Sequence, residues 1–202
     1  GRMSFSLHDK RAVVIGSGGR LGPIWGKALV DAGASVVNLD RPEFDVRRYD
    51  QSPPWEDLHV MVINAGIDHR PGGFVVPQDI VDVNLLGMWR MLEQGQRLPA
   101  GASIICIASL YALVAGAHKH PLYGATKAGV VNLAKHYAVV YGPKGLRVNA
   151  LAIGGVQDDQ PEDFVRAYAA KVPLGRMAQP TDITGPLLFL ASKASDFYTG
   201  HV

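Results

Sequence analysis

A tyrosine and a lysine four residues apart are the first residues of this sequence that could do chemistry together. Tyr123 and Lys127 lie in the stretch Leu122–Gly129. In a helix this spacing places both side chains on one face, one turn apart. A free phenol titrates near pH ~10. A neighbouring ammonium favours the phenolate, so we expect Lys127 to lower the pKa of Tyr123 toward useful acid–base chemistry. The same spacing also occurs as an ordinary exposed pair on an amphipathic helix. Other motifs in the chain must distinguish the catalytic pair from the exposed one.

A glycine-rich turn between a strand and a helix is the second candidate site. The apolar run Ala12–Ile15 leads into Gly16–Gly22, a helical segment follows at 24–32, and a strand at 35–39 ends at Asp40. Glycines permit a tight turn and let the backbone approach a pyrophosphate at a helix N-terminus, where free N–H groups favour anions. An aspartate at the end of the second strand fits the ribose hydroxyls of an adenosine. The sequence therefore predicts a dinucleotide-binding βαβ unit; the alternative is a flexible turn with a solvated aspartate.

Apolar strands alternate with helical segments along the rest of the chain, which indicates a parallel sheet. A short third strand is expected near 43–46, with no helix between it and the second strand. Other elements are expected as strands at 59–63, 103–108 and 146–151, and as helices at 78–94, from Tyr123 to about 141, at 163–171 and at 180–192. The predicted fold is a single doubly wound α/β domain over residues 4–202, with helices on both faces of a mostly parallel sheet. Gly1 to Met3 resemble a cloning remnant followed by the start methionine.

Composition narrows the class of protein. The 202 residues carry a net charge of +2 without runs of like charge, which argues against nucleic acid or a membrane surface as a partner. Cys106 is the single cysteine, so no disulfide can form within the chain, and a reducing, cytoplasmic location is expected. His118 and His120 could line a substrate pocket. Further metal ligands at suitable spacing are not evident, so no metal site is predicted.

In order and spacing, these motifs resemble the short-chain dehydrogenase/reductase family from about Arg11 to Val202. Besides the turn, Asp40 and the Tyr123–Lys127 pair, the matching pieces are Asn64-Ala65-Gly66, Asn84 within Val83–Gly87, Ser109, Arg147–Ala150, Pro173–Arg176, and Pro180 with Asp182-Ile183. The resemblance implies an NAD(P)-dependent oxidoreductase that interconverts an alcohol and a carbonyl by hydride transfer. It also implies a small-molecule substrate and a homodimer or homotetramer.

The resemblance assigns a role to each catalytic residue. Tyr123 looks like the general acid/base that exchanges a proton with the substrate oxygen. Lys127 would hold the nicotinamide ribose and lower the pKa of Tyr123. Ser109 would orient the substrate oxygen, and Asn84 would position a water in the proton relay behind Lys127. Cofactor binding is assigned to Gly16, Ser17, Gly18, Arg20, Leu21, Gly22, Asp40, Asp45, Val46, Asn64, Ala65, Gly66, Tyr123, Lys127, Ile153, Gly154 and Val156.

Two departures from the family pattern bear on the cofactor. Arg20 replaces a usual glycine and could reach a phosphate, which favours NADP(H). Asp40 would repel a 2′-phosphate, so NAD(H) is expected, with NADP(H) as the alternative that Arg41 keeps open. Ile153 replaces a usual proline and Asp158 a usual threonine, so we expect the nicotinamide end to be held differently.

A third departure is length. The helix after the second strand is absent, and the chain stops at Thr199–Val202, where the family would enter its last strand. Two other functions stay open. One is a non-catalytic, nucleotide-binding regulator on the same fold, against which the complete set of Asn84, Ser109, Tyr123 and Lys127 argues. The other is a dehydratase or epimerase that retains its cofactor. Steroid, sugar, acyl and small ketone substrates are all compatible with the sequence.

Overall fold

Five parallel strands form one sheet in the computed structural model, which describes residues 5–68, 75–116 and 119–202. The order across the sheet is β2-β1-β3-β4-β5. The strands are β1 (Arg11–Ile15), β2 (Ser35–Leu39), β3 (Leu58–Ile63), β4 (Ser103–Ser109) and β5 (Arg147–Ile153). The chain winds outward from β1 in one direction and from β3 in the other, so a crevice opens between the loops that follow these two strands. The predicted doubly wound α/β fold is confirmed.

Helices cover both faces of the sheet. On one face lie α1 (Gly22–Asp31) and α6 (Pro180–Ala191). On the other lie α2 (Pro77–Val81), a π-helical segment (Asp82–Gly87), α3 (Met88–Gln94) and α4 (Pro121–Tyr141). The amphipathic helix α5 (Glu162–Ala169) contributes no buried residue. Short 3₁₀ turns occur at Gly95–Arg97, Leu110–Ala112, Gly142–Lys144 and Lys193–Ser195. None of the helices within the described residues is long and apolar enough to cross a bilayer.

β1, β3 and β4 are largely apolar because both of their faces are buried, whereas β2, at the edge of the sheet, is partly exposed. In β1, Ala12 and Val14 pack toward Trp25 of α1, whereas Val13 and Ile15 pack in the core on the opposite face. This two-sided burial is why the strands read as continuous apolar runs rather than as alternating patterns. Because all five strands run parallel, their carboxyl ends share one edge of the sheet, and the candidate site is built there.

The short third strand predicted near 43–46 is wrong. The side chain of Gln51 occupies backbone groups that a strand would use: its Oε1 accepts from the Asp45 N–H at 2.6 Å and its Nε2 donates to the Glu43 carbonyl at 2.9 Å. The segment forms turns instead, and within the described residues β2 pairs only with β1. At the opposite edge, Gly200 donates to the Val148 carbonyl and Ala150 donates to the His201 carbonyl, alongside β5.

Candidate active site

Three of the predicted catalytic side chains meet at the carboxyl end of β4. Ser109 is the last residue of β4, and the first turns of α4 carry Tyr123 and Lys127. The Lys127 Nζ lies 5.9 Å from the centroid of the Tyr123 ring and donates a 2.9 Å hydrogen bond to the Ile107 carbonyl of β4. Ser109 and Lys127 are both buried. The helical spacing therefore places the phenol and the ammonium together, as the sequence predicts.

Asn84 completes the cluster from the π-helical segment. Its Oδ1 accepts from the Ile67 N–H at 2.7 Å, and its Nδ2 donates to the Ile67 carbonyl at 2.8 Å. A Cβ atom added to Gly66 would lie 3.2 Å from Lys127 Nζ and 3.5 Å from Asn84 Oδ1. Both polar groups thus approach one point beside the backbone that follows β3. A π-helical turn is frequent at functional sites, and the sequence did not predict this one.

The expected lowering of the Tyr123 pKa is wrong for this structure. Burial of the phenol raises its pKa, a hydrogen bond with Ser109 lowers it in part, and the nearby Asp68 and Tyr111 raise it further. Burial also lowers the pKa of Lys127 to about 8. Helical spacing gives proximity, whereas the direction of the pKa shift depends on the loss of water around each group.

A cleft of about 420 Å³ lies beside this cluster, at the ends of β1, β2 and β3. It unites eight of the predicted cofactor residues, namely Gly16, Gly18, Asp40, Asp45, Val46, Asn64, Ala65 and Gly66, with Ile15, Gly19, Arg41, Phe44, Ile67 and Val83. The other predicted cofactor residues do not line this cleft. They lie in the turn and at the start of α1, on α4, or at and after the end of β5: Ser17, Arg20, Leu21, Gly22, Tyr123, Lys127, Ile153, Gly154 and Val156. Ile153 packs in the core on the α1 and α6 face.

Glycine is required at two positions of the turn. Gly16 has φ of +83°, and a Cβ there would lie 2.5 Å from the Ala65 nitrogen. A Cβ at Gly22 would lie 2.6 Å from the Ser17 Cα and still closer to the Ser17 carbonyl oxygen. The turn therefore closes tightly on itself and leaves its backbone accessible at the N-terminus of α1.

Replacement of Gly22 by alanine is expected to distort the turn. Such overpacking costs about 1–3 kcal/mol, and each kcal/mol lowers Tm by about 2–4 °C in a domain of this size. Calorimetry of the Gly22→Ala variant tests this, with Gly19→Ala as the matched control, because a Cβ at Gly19 meets its neighbours at 3.6 Å or more. Equal Tm values for the two variants would contradict the account of the turn.

Two polar side chains fix the turn. The Asn64 Nδ2 donates to the Gly16 carbonyl at 2.7 Å, and its Oδ1 accepts from the Trp25 indole at 2.8 Å. Asp40 accepts from the Gly18 N–H with Oδ2 and from the Arg41 N–H, at 2.7 Å, with Oδ1. The Asp40 carboxylate therefore lies against the glycine turn at the end of β2, where the sequence places the adenosine.

Arg20 does not face the cleft. Its Nε lies 3.2 Å from the Asp158 Oδ2, and its Nη2 pairs with Asp159. The Arg20 side chain therefore bridges the glycine turn and the loop after β5. Arg20 and Asp158 stand at two of the positions where the chain departs from the family pattern, and the structure brings them into contact.

An ion pair between Lys119 and Asp68 lies beside Tyr123, and the sequence analysis did not predict it. Lys119 pairs with Asp68, and the Lys119 Nζ lies 5.5 Å from the centroid of the Tyr123 ring. Lys119 lies four residues before Tyr123, just as Lys127 lies four residues after it. This spacing is the signal in the sequence that could have indicated Lys119. His120 instead caps the N-terminus of α4: its Nδ1 accepts from the Leu122 N–H at 3.2 Å.

His118 lies outside the described residues. Among those residues, no group of three or more His, Cys, Asp or Glu side chains is arranged to hold a metal ion. Cys106 is buried in β4, and burial raises the pKa of its thiol to about 12. A thiol with so high a pKa is a poor nucleophile near neutral pH.

Comparisons with known proteins bear on the family of this chain. A protein-family model described as enoyl-(acyl carrier protein) reductase matches residues 50–202. The chain is 33% identical to an L-rhamnose 1-dehydrogenase (NAD(P)(+)) of Azotobacter vinelandii, over 87% of this chain and 73% of that protein. The chain belongs to the short-chain dehydrogenase/reductase family. This short-chain dehydrogenase/reductase is also 30% identical to a 2-dehydro-3-deoxy-D-gluconate 5-dehydrogenase of Bacillus subtilis, over 98% of this chain and 94% of that protein.

A solved structure matches the fold of this short-chain dehydrogenase/reductase. It is a gluconate 5-dehydrogenase from Burkholderia cenocepacia in complex with NADP and tartrate, with a TM-score of 0.84 and 26% identity. The match covers 98% of this chain and 93% of that one. Together the comparisons show an NAD(P)-dependent oxidoreductase that interconverts an alcohol and a carbonyl. The residues present fit a dinucleotide: glycines without room for a Cβ, a carboxylate at the end of β2, and a buried ammonium beside Gly66.

Proposed function

We propose that this protein oxidises a hydroxyl of a sugar or sugar acid, or reduces the corresponding carbonyl, with Tyr123 as its acid/base. The observation that carries the proposal is the convergence of Ser109, Tyr123, Lys127 and Asn84 beside the dinucleotide cleft. The sugar class is supported by the relatives, which are dehydrogenases of L-rhamnose and of 2-dehydro-3-deoxy-D-gluconate.

The chain's own residues handle the proton and the orientation. A bound nicotinamide supplies or accepts the hydride. Tyr123 gives its phenolic proton to the substrate oxygen during reduction and takes it back during oxidation, while the Ser109 hydroxyl orients that oxygen. Lys127, whose Nζ lies near Asn84 Oδ1 beside Gly66, would bind the nicotinamide ribose. Asn84 would hold a water there, through the lone pair of Oδ1 that Ile67 leaves free.

A panel assay tests the proposed function. The purified chain is mixed with NAD+ or NADP+ and L-rhamnose, D-gluconate, other aldoses or simple secondary alcohols, and the absorbance of the reduced nicotinamide is followed. Turnover with a sugar or sugar acid supports the proposal. Nucleotide binding without turnover of any compound would favour the regulator, and conversion of a sugar without net cofactor reduction would favour a dehydratase or epimerase.

NAD(H) is the proposed cofactor, because Asp40 presents a carboxylate at the end of β2. Replacement of Asp40 by asparagine keeps an acceptor for the Gly18 N–H but removes the charge that would repel a 2′-phosphate. The ratio of kcat/KM for NAD+ to that for NADP+ is expected to fall about tenfold, which corresponds to about 1.4 kcal/mol. Steady-state kinetics with both cofactors measure it, with Asp31→Asn on α1 as the control. An unchanged ratio in Asp40→Asn would show that this carboxylate does not select the cofactor.

The proposal includes a cytoplasmic homodimer or homotetramer. A single buried cysteine and scattered charge support the location, and resemblance to the family supports the assembly. Light scattering after gel filtration measures the mass in solution.

A further inference from the structure

Arg20 links two parts of the molecule that the sheet keeps apart. The turn that carries Arg20 follows β1, and the loop that carries Asp158 and Asp159 follows β5. β3 and β4 lie between these strands in the sheet. Since neighbouring strands are about 4.8 Å apart, β1 and β5 are separated by roughly 14 Å. The connection therefore spans the carboxyl ends of the two strands between them, which is the edge where the candidate site lies.

The base of the loop after β5 is anchored independently of Arg20. Gln157 donates its N–H to the Ala178 carbonyl at 2.7 Å, and Ala178 donates to the Gly155 carbonyl at 3.0 Å. The Gln179 side chain donates to the Gln157 side chain at 2.9 Å. Only the tip, with its two aspartates, reaches Arg20. Within the loop, Gln160 accepts from the Asp158 N–H at 2.7 Å and donates to the Val156 carbonyl at 2.9 Å, so the two carboxylates are presented to Arg20 from a braced loop.

The contact at the tip is able to open. The side chains of Arg20, Asp158 and Asp159 are 47%, 55% and 79% exposed, and exposed ion pairs are weak and sensitive to salt. The guanidinium uses Nε and Nη2 on the two carboxylates, and among the described residues its Nη1 donors remain for another anion. A dinucleotide pyrophosphate held at the neighbouring turn is an anion of the right chemistry.

We propose that Arg20, Asp158 and Asp159 form a strap across the dinucleotide site that slows release of the cofactor. This inference rests on the proposed function, because it requires that the turn bind NAD(H). The three residues are positioning residues: they hold the loop after β5 against the turn and take no part in the transfer of hydride or proton. The strap must open for NAD(H) to enter or leave, so it governs both rates of exchange.

Dissociation of NADH, followed by stopped-flow fluorescence with excess NAD+ as the competitor, tests the strap. Arg20→Met and the double variant Asp158→Asn/Asp159→Asn are each expected to raise the dissociation rate constant about threefold to tenfold, as for loss of two exposed ion pairs. Combining all three substitutions is expected to add little, because either change alone removes the same contact. Arg20→Lys is expected to restore part of the slow release.

Salt provides a second readout. The wild-type dissociation rate constant is expected to rise with ionic strength, and that of the double variant to rise less. Arg48→Met is the matched control, since it breaks an exposed ion pair with Asp50 away from the loop after β5. An unchanged or slower release from Asp158→Asn/Asp159→Asn would overturn the strap. Absence of NADH binding by the wild-type chain would overturn the proposed function as well, so the two failures are distinguishable.

Discussion

Replacement of Tyr123 by phenylalanine is expected to lower kcat by about 10²- to 10⁴-fold, the range for loss of a general acid/base. The ring would remain within 5.9 Å of the ammonium groups of Lys119 and Lys127, so the cleft and the affinity for the dinucleotide should be preserved. Steady-state kinetics with a substrate from the panel give kcat, and titration calorimetry with NAD+ gives Kd. Because burial raises the pKa of Tyr123, oxidation of the alcohol, which needs the phenolate, is expected to accelerate as pH rises.

Tyr137 supplies the control on the same helix. Its hydroxyl donates to Glu93, away from Ser109, so Tyr137→Phe loses a hydrogen bond worth about 1 kcal/mol of stability but should keep the wild-type kcat. If Tyr123→Phe retained more than about a tenth of the wild-type kcat, a factor below the range for an acid/base residue, Tyr123 would not be the catalytic group.

Replacement of Lys127 by methionine is expected to lower kcat/KM for both cofactor and substrate by at least about tenfold, while Tm at neutral pH stays the same or rises. The ammonium is buried beside Gly66 and hydrogen-bonded to the Ile107 carbonyl. In the proposed mechanism it binds the nicotinamide ribose. Burial holds its pKa at about 8, below the ordinary 10.5, so the folded protein disfavours the charged form. Methionine has a similar length without that charge. A side chain that serves catalysis at a cost in stability is expected to behave in this way: its removal lowers activity but not stability.

The pH dependence of this effect has a definite sign. Between the folded pKa of about 8 and the ordinary value of 10.5, the unfolded chain binds more protons at Lys127 than the folded one. The wild-type free energy of unfolding should therefore gain a favourable contribution as pH rises through this window, and Lys127→Met should lack it. Lys135→Met, an exposed position on α4, is the control for both activity and stability. Wild-type activity in Lys127→Met would refute its assigned role.

The fold was predictable because it follows from local patterns. Strands buried on both faces appear as short apolar runs, and α4 is bounded in the sequence by Pro121 and by Gly142. The segment after Asp40 was not predictable, because a single side chain, Gln51, takes the backbone groups that a strand would need. The π-helical turn at Asn84 likewise has no distinct local pattern.

The sequence predicted which residues form the site better than it predicted their pKa shifts. Helical spacing brings Tyr123 and Lys127 together, yet the direction of the Tyr123 pKa shift depends on burial that spacing does not report. The contact between Arg20 and Asp158 joins residues far apart in the chain, and each looked like an isolated departure from the family pattern. The pairing of Asp68 with Lys119 is distant in the same way. Only the folded sheet edge brings such residues together.

A single-turnover experiment tests the central claim most directly. Wild type and Tyr123→Phe are each first saturated with the oxidised cofactor. Each complex is then mixed rapidly with a sugar from the panel, and formation of reduced nicotinamide is followed on the enzyme. Reduced nicotinamide is expected to form rapidly in the wild type, and faster as pH rises. In the variant its formation is expected to be slower by about 10²-fold or more, at unchanged cofactor affinity. Equal single-turnover rates in the two proteins would contradict the assignment of Tyr123 as the group that moves the proton.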